Sequence, residues 1–377
     1  MRKTQDAFDR QYVGTTTYAA EAPAIRLDDE TEQYRVLSHK RADLWEETAF
    51  ALVAESGDHD VLLWTAGYII KGQGRRVWID EDAVEHDIML IAVPKANRGK
   101  MTDNNFVRAG WHPTERLQPR KLRIERTHDR VVWHFEDHRF VARPPVWEAQ
   151  GLFAGVDLDL RFSQVGQPIW HWGHFADAET SDRAGYDVFA DVDGTLATAG
   201  RTFEIRNGHG VREHILVGQS ADPIRNLPAP RVMYWLYLTK DDVGINFFRP
   251  GIVDIGAVYV GERAIKYNPA ANQGAISFET TEHWHDPRSA TCLPIRWHLT
   301  MTSTECVVDL DISCHGRAYS FWHGDAGTRM YCYLLCTANG ALSLPDGRTV
   351  AFEDHVMLNS FNRTILVKSE TLDGPVY

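Results

Sequence analysis

The chain has 377 residues, 44% hydrophobic and 24% charged, which supports packed cores and excludes disorder as the main state. Lys plus Arg number 40 and Asp plus Glu 52; the net charge of −12 repels phosphate backbones and acidic membrane surfaces, so no nucleic-acid partner is expected. No window approaches an uninterrupted apolar run long enough to span a bilayer as a helix, and the length suits about two domains.

The opening Met1-Arg2-Lys3-Thr4-Gln5-Asp6 leads into polar sequence rather than the apolar stretch of a secretory signal, and a cytoplasmic location is expected. Ala42–Glu55 has the composition of a helix, while the alternation of Trp45, Glu47, Ala49, Ala51 and Val53 permits a strand. A short helical turn is expected within residues 80–90. Arg130–Phe135 reads as a strand, and alternation would place His134, Glu136 and His138 on one face, a pattern that suits a metal but has no evident fourth ligand nearby. Val156, Leu158, Leu160 and Phe162 alternate with Asp157, Asp159, Arg161 and Ser163, the mark of a strand with one buried face. Trp170-His171-Trp172-Gly173-His174 suits a pocket rim. Polar residues over 174–185 suggest a boundary, giving domains 1–180 and 181–377.

Further strands are expected at Gly185–Val192, Thr202–Arg206, Met233–Leu238, Ala257–Val260, Ala275–Thr280, Ile295–Met301, Met330–Thr337 and Thr349–Glu353. Asp193-Gly194, Asn207-Gly208, Asn339-Gly340 and Asp346-Gly347 supply the positive φ that tight hairpins need. Cys306, Val308, Leu310, Ile312 and Cys314 alternate as a further strand; the five cysteines, odd in number and without a CxxC pair, are expected to be buried reduced thiols. The fold expected is all-β, antiparallel, with few helices, and two halves of similar strand spacing are compatible with a duplicated barrel.

Three constellations could carry chemistry. Arg212-Glu213-His214 follows a Gly-rich turn and sets a carboxylate beside an imidazole, a pair suited to proton transfer. Within a strand, Arg212 and His214 share a face and Glu213 points to the other unless a bulge intervenes. His283 and His285 alternate onto one face as metal ligands would, but the companions of a metal centre are missing; Asp286 and Arg288 read as an ion pair there. Glu46 and Glu47, with Trp45, Trp64 and Tyr68, mark a pocket in the first half. No GxGxxG βα opening, P-loop, G-x-S-x-G elbow or HExxH occurs, so a nucleotide cofactor is not expected; no metal is assigned, and a mononuclear metal enzyme using His283 and His285 stays as a third reading.

The run Asp193-Gly194-Thr195 through Asn207-Gly208-His209-Gly210-Val211-Arg212-Glu213-His214 resembles the G-strand-G-strand-G-x-G-x-x-Asp-His segment of the tandem lipocalin-like proteins, the group of carotenoid hydratase, AttH-like and kievitone-hydratase-type proteins and the lipocalin-like pericyclases. His283-Trp284-His285-Asp286-Pro287-Arg288 through Trp297 is similar to the group's W-x-S-P-[RK]-[ST]-G-x-x-Y-P-x-x-W, and Gly151–Phe162 to the strand closing its first domain. Glu213 stands where the group has Asp, and Ile215-Leu216 where an aromatic and Gly follow. The resemblance implies two consecutive lipocalin-like barrels or half-barrels packed together, with a hydrophobic ligand in a barrel mouth or between them. It implies hydratase, dehydratase or cyclase chemistry on an isoprenoid- or polyketide-like molecule, without a cofactor. Glu213 or His214 would move the proton and Arg212 would orient an oxygen. Trp45, Glu47, Trp64, Tyr68, Trp172, Trp235, Trp284 and Arg288 are the residues expected to bind substrate. The alternative is a non-catalytic carrier of an apolar small molecule. A second copy of the chain, as a homodimer, stays open as a partner.

Overall fold

Alternation of apolar and polar side chains writes strands, and the computed structural model consists of them. It describes residues 24–30, 44–70, 83–102, 114–117, 122–170, 175, 183–218, 232–249, 254–324 and 327–367. Among the described residues there are twenty β-strands and no α-helix. The first sheet has eleven strands in the order β4 (Thr114–Leu117), β3 (Ala83–Pro94), β2 (His59–Ile70), β1 (Leu44–Ser56), β11 (Arg201–Gly218), β10 (Arg183–Thr198), β9 (Val156–Trp170), β8 (Val146–Phe153), β7 (His138–Arg143), β6 (Val131–Phe135) and β5 (Leu122–Arg126). The second has nine, in the order β15 (Arg263–Tyr267), β14 (Ile255–Val260), β13 (Val243–Arg249), β12 (Val232–Lys240), β20 (Thr349–Val367), β19 (Gly327–Ser343), β18 (Val307–Gly324), β17 (Cys292–Thr302) and β16 (Ala275–His285).

The two orders are one topology used twice. Strands β1 to β4 correspond to β12 to β15, and β7 to β11 to β16 to β20; the first sheet adds β5 and β6. The chain passes from one sheet to the other between Gly218 and Val232, so Arg183–Gly218, on the far side of residue 180, runs in the first sheet. The repeat extends to backbone detail. Gly194 and Gly340 both have φ +138 beside a β-bulge, and a Cβ at either would lie 2.0 Å from Asp159 O or 2.1 Å from Asp309 O. Only glycine lets the neighbouring strand come so close. Gly194→Ala is expected to cost well over about 1 kcal/mol of stability, measured by urea unfolding.

Each sheet curls into a half-barrel around its own core. Phe50 on β1 meets Phe140 on β7 across the first interior, with ring centroids 4.9 Å apart. Phe278, Trp297 and Leu334 belong to the core of the second. A third core lies between the outer faces of the two half-barrels, where Ala49, Trp64 and Phe189 meet Trp235, Tyr237 and Tyr333. Strand β1 is therefore buried on both faces, Phe50 and Leu52 inward and Ala49 and Ala51 toward the second sheet. This burial decides for a strand where composition alone suited a helix. Residues 83–94 likewise form β3, paired with β2 along its length, and not a helical turn. Asp60 on β2 holds Arg98 (Nε to Oδ2, 2.7 Å) and His315 Nε2 of β18 (3.0 Å), tying the two sheets together. Four of the five free thiols are buried; Cys292 is exposed, contrary to expectation.

Candidate active site

Strand β11 carries the Arg-Glu-His motif through the middle of the first sheet, and its pleat divides the three residues. Arg212 and His214 enter the interior of the first half-barrel, 2% and 0% exposed. Glu213 points the other way, toward the second sheet, and is half-buried.

On the inner face Arg212 and His214 converge on a residue the motif gave no hint of. Glu30 closes a single 3-10 turn, Leu27–Glu30, that reaches into the half-barrel. Arg212 Nη2 donates to its Oε2 at 2.8 Å, Trp147 Nε1 to its Oε1 at 2.6 Å, and the Tyr186 hydroxyl also to Oε1. His214 Nδ1 lies 3.4 Å from Oε2. Burial alone would raise the Glu30 pKa, but Arg212 and His214 outweigh it and hold the carboxyl well below its usual range.

His214 Nε2 lies 2.7 Å from Glu46 Oε1 on β1. Burial lowers the His214 pKa, but hydrogen bonds to Glu30 and Glu46 overcome it, so the net direction is up. Burial pushes Glu46 up to about 7 against the pull of His214 and Arg212, and its Oε2 has no hydrogen-bond partner among the described residues. The folded value exceeds the unfolded one, so the folded state binds the extra proton between about pH 4.5 and 7. The stability tied to that proton is complete below pH 4.5 and lost as pH rises through 7. Glu46→Gln is expected to remove about 3 kcal/mol of that decline. The check is the difference between variant and wild-type unfolding free energies across this range.

On the outer face Glu213 stands opposite Asp187 of β10 and Ala49 of β1, with Glu47 diagonal to it. Burial, and then the negative charges of Asp187 and Glu47, push the Glu213 carboxyl well above the usual range. The Tyr237 hydroxyl reaches over from the second sheet and donates to Asp187 Oδ2. Trp64 packs against Trp235 and Tyr333 at ring-centroid separations of 5.8 and 4.9 Å, and Tyr68 joins the same cluster. Burial and the charges of Glu47, Asp87 and Glu213 hold the Tyr333 hydroxyl protonated, as a donor. A small cavity of about 10 Å³ lies between the sheets further along β11, lined by His209, Val211, Phe189, Tyr237 and Leu358 and not by Glu213.

Five residues expected around one pocket thus gather between the sheets: Glu47, Trp64, Tyr68, Trp235 and Glu213. Trp172 and the side chain of Trp45 lie outside the described residues. Trp284 and Arg288 lie elsewhere, at the second half-barrel. Trp284 sits under the Arg317 guanidinium, 4.6 Å from its ring centroid, and Arg288 is exposed. The cation against the Asp286 carboxylate is the buried Arg317, Nη2 to Oδ1 at 2.7 Å, while Arg288 gives it a backbone N–H. His283 and His285 are both exposed. His138 does not share a face with His134. The turn at Glu136, φ 47, breaks the alternation; His138 enters the first interior and stacks on Phe153 at 4.7 Å, while His134 stays near Glu125. The residues missed were Glu30, remote in sequence, and Asp187, whose role follows only from its register opposite Glu213.

Comparison with solved structures places this architecture. A provisional AttH of Nitrosomonas europaea is similar over 92% of this chain and 99% of its own, with a TM-score of 0.55 and 10% identity. CghA, solved with Sch210972, is similar over 86% of this chain and 89% of its own, with a TM-score of 0.53 and 10% identity. The chain has the fold of AttH and CghA. Kievitone hydratase of Nectria haematococca stands further off, at a TM-score of 0.43 and 7% identity over 92% of this chain and 94% of its own. No family profile and no curated protein matches the sequence. No helix among the described residues is long and apolar enough to cross a membrane.

Proposed function

We propose that the chain is a lyase or isomerase, a hydratase, dehydratase or cyclase, that binds a hydrophobic small molecule between its two half-barrels and transfers a proton from Glu213. The observation that carries this reading is the position of Glu213. A half-buried carboxyl faces Asp187 and Glu47 on the side of β11 where Trp64, Tyr68, Trp235 and Tyr237 cluster between the sheets. Such a carboxyl keeps its proton to higher pH than an ordinary carboxylate does and can deliver it to an alkene or a leaving hydroxyl. The aromatic wall excludes water and holds a reactive conformer of an isoprenoid- or polyketide-like substrate. CghA, of the same fold, was solved with Sch210972. Arg212 and His214 belong to the support of β11 from behind rather than to substrate contact, since the interior they occupy is filled by Glu30.

The test begins with native mass spectrometry of protein purified from its own host, to identify a retained small molecule. Turnover of that compound is then compared between wild type and Glu213→Gln. Loss of turnover with the compound still bound supports the reading. Unchanged turnover in the variant removes Glu213, and a bound compound that wild type never converts makes the chain a carrier.

A further inference from the structure

The interior of the first half-barrel contains a complete recognition site for a carboxylate, and the chain fills it with its own. Glu30 receives a guanidinium N–H from Arg212, an indole N–H from Trp147 and the hydroxyl of Tyr186, with His214 beside the same carboxylate and the indole of Trp133 donating to the Glu30 carbonyl at 3.3 Å. These donors come from strands β6, β8, β10 and β11 of the barrel wall, while Glu30 comes from a segment that is no part of the sheet. The donor set is rigid: the Arg212 guanidinium is sandwiched near the Phe50 and Tyr186 rings, 4.9 and 5.7 Å from their centroids. Around it lies the apolar interior of the half-barrel.

The segment that brings Glu30 is held by side chains rather than by strand pairing. The turn Leu27–Glu30 is one 3-10 turn. Its other ties include Asp29 to Arg26, an exposed Asp28–Arg126 pair, and Ile25 and Leu27 against the core. Exposed ion pairs of this kind hold weakly. Three donors of the barrel wall close on the Glu30 carboxylate itself, and a carboxylate is what another molecule could offer.

We propose that the first half-barrel is a binding site for a carboxylate-bearing apolar small molecule, of the aliphatic-acid class, which competes with Glu30 for Arg212, Tyr186 and Trp147. This site lies on the opposite face of β11 from Glu213 and stands independently of the proton-transfer reading.

Decanoate and decanol, alike in chain length and different in head group, serve as probes. Calorimetric titration is expected to show decanoate binding at least about tenfold tighter to Glu30→Gln than to wild type, because the internal competitor has lost its charge. Decanol should show no such gain. In wild type, decanoate should accelerate tryptic cleavage between Arg26 and Leu27 several-fold, read by mass spectrometry, because the docked turn is released; decanol should not. Equal decanoate affinity in the two proteins, an equal gain for decanol, or an unchanged cleavage rate overturns the proposal. Should Glu30→Gln fail to fold, the wild-type cleavage experiment decides alone. None of these readouts depends on turnover, so the Glu213 reading can fail while this one stands.

Discussion

Glu30→Ala is expected to lower the unfolding free energy by about 3–5 kcal/mol in urea denaturation at pH 7. Removing one partner of a buried ion pair leaves the other charge desolvated without compensation, and Arg212 is 2% exposed. Trp147 Nε1 and the Tyr186 hydroxyl lose their acceptor in the same step. Glu30→Gln separates the causes. It keeps the volume and an acceptor oxygen but deletes the charge, so a loss close to that of Ala assigns the effect to the stranded guanidinium. A much smaller loss assigns it to the cavity. Arg263→Ala is the control. Its partner Glu305 is 50% exposed and Arg263 itself 61%, and the expected change is under about 1 kcal/mol. A Glu30→Ala effect as small as that would mean that solvent reaches the first interior.

How far the sequence could be read follows from the range of the forces involved. The strand runs over 156–163 and 306–314 were legible because the side-chain period of a strand is local, and one buried face imprints it directly. The motif Arg212-Glu213-His214 was legible as a division of faces for the same reason. Residues 83–94 misled because a strand buried on both sides loses its alternation, and only pairing with β2 along its full length reveals it. Helix composition in residues 44–56 is overridden in the same way, since burial of both faces needs the second half-barrel in place. Glu30 was not legible at all. Its partners lie from 103 to 184 residues away, and no local spacing can encode that convergence. Arg317 is hidden similarly: Asp286 had a plausible partner two residues away in Arg288, and the fold supplied a buried cation 31 residues away instead.

For Glu213→Gln the expected result is a fall in turnover of about 10²–10⁴-fold on the retained compound, the usual worth of a positioned acid. Gln has nearly the same shape and cannot give up a proton, so binding should survive while the chemical step fails. The pH profile discriminates further. A raised carboxyl keeps its proton through the range in which ordinary carboxylates lose theirs, so the alkaline limb of wild-type activity should lie above that range. Asp187 is one of the charges holding that proton in place. Asp187→Asn removes a negative neighbour, makes ionisation of Glu213 easier, and should move the alkaline limb to lower pH. A merely structural Asp187 would change the amplitude of the profile and leave the position of that limb where it was. A profile that does not move would assign the Tyr237–Asp187 contact, which Asn can keep through its amide oxygen, to holding the two half-barrels together and take the tuning of Glu213 away from Asp187.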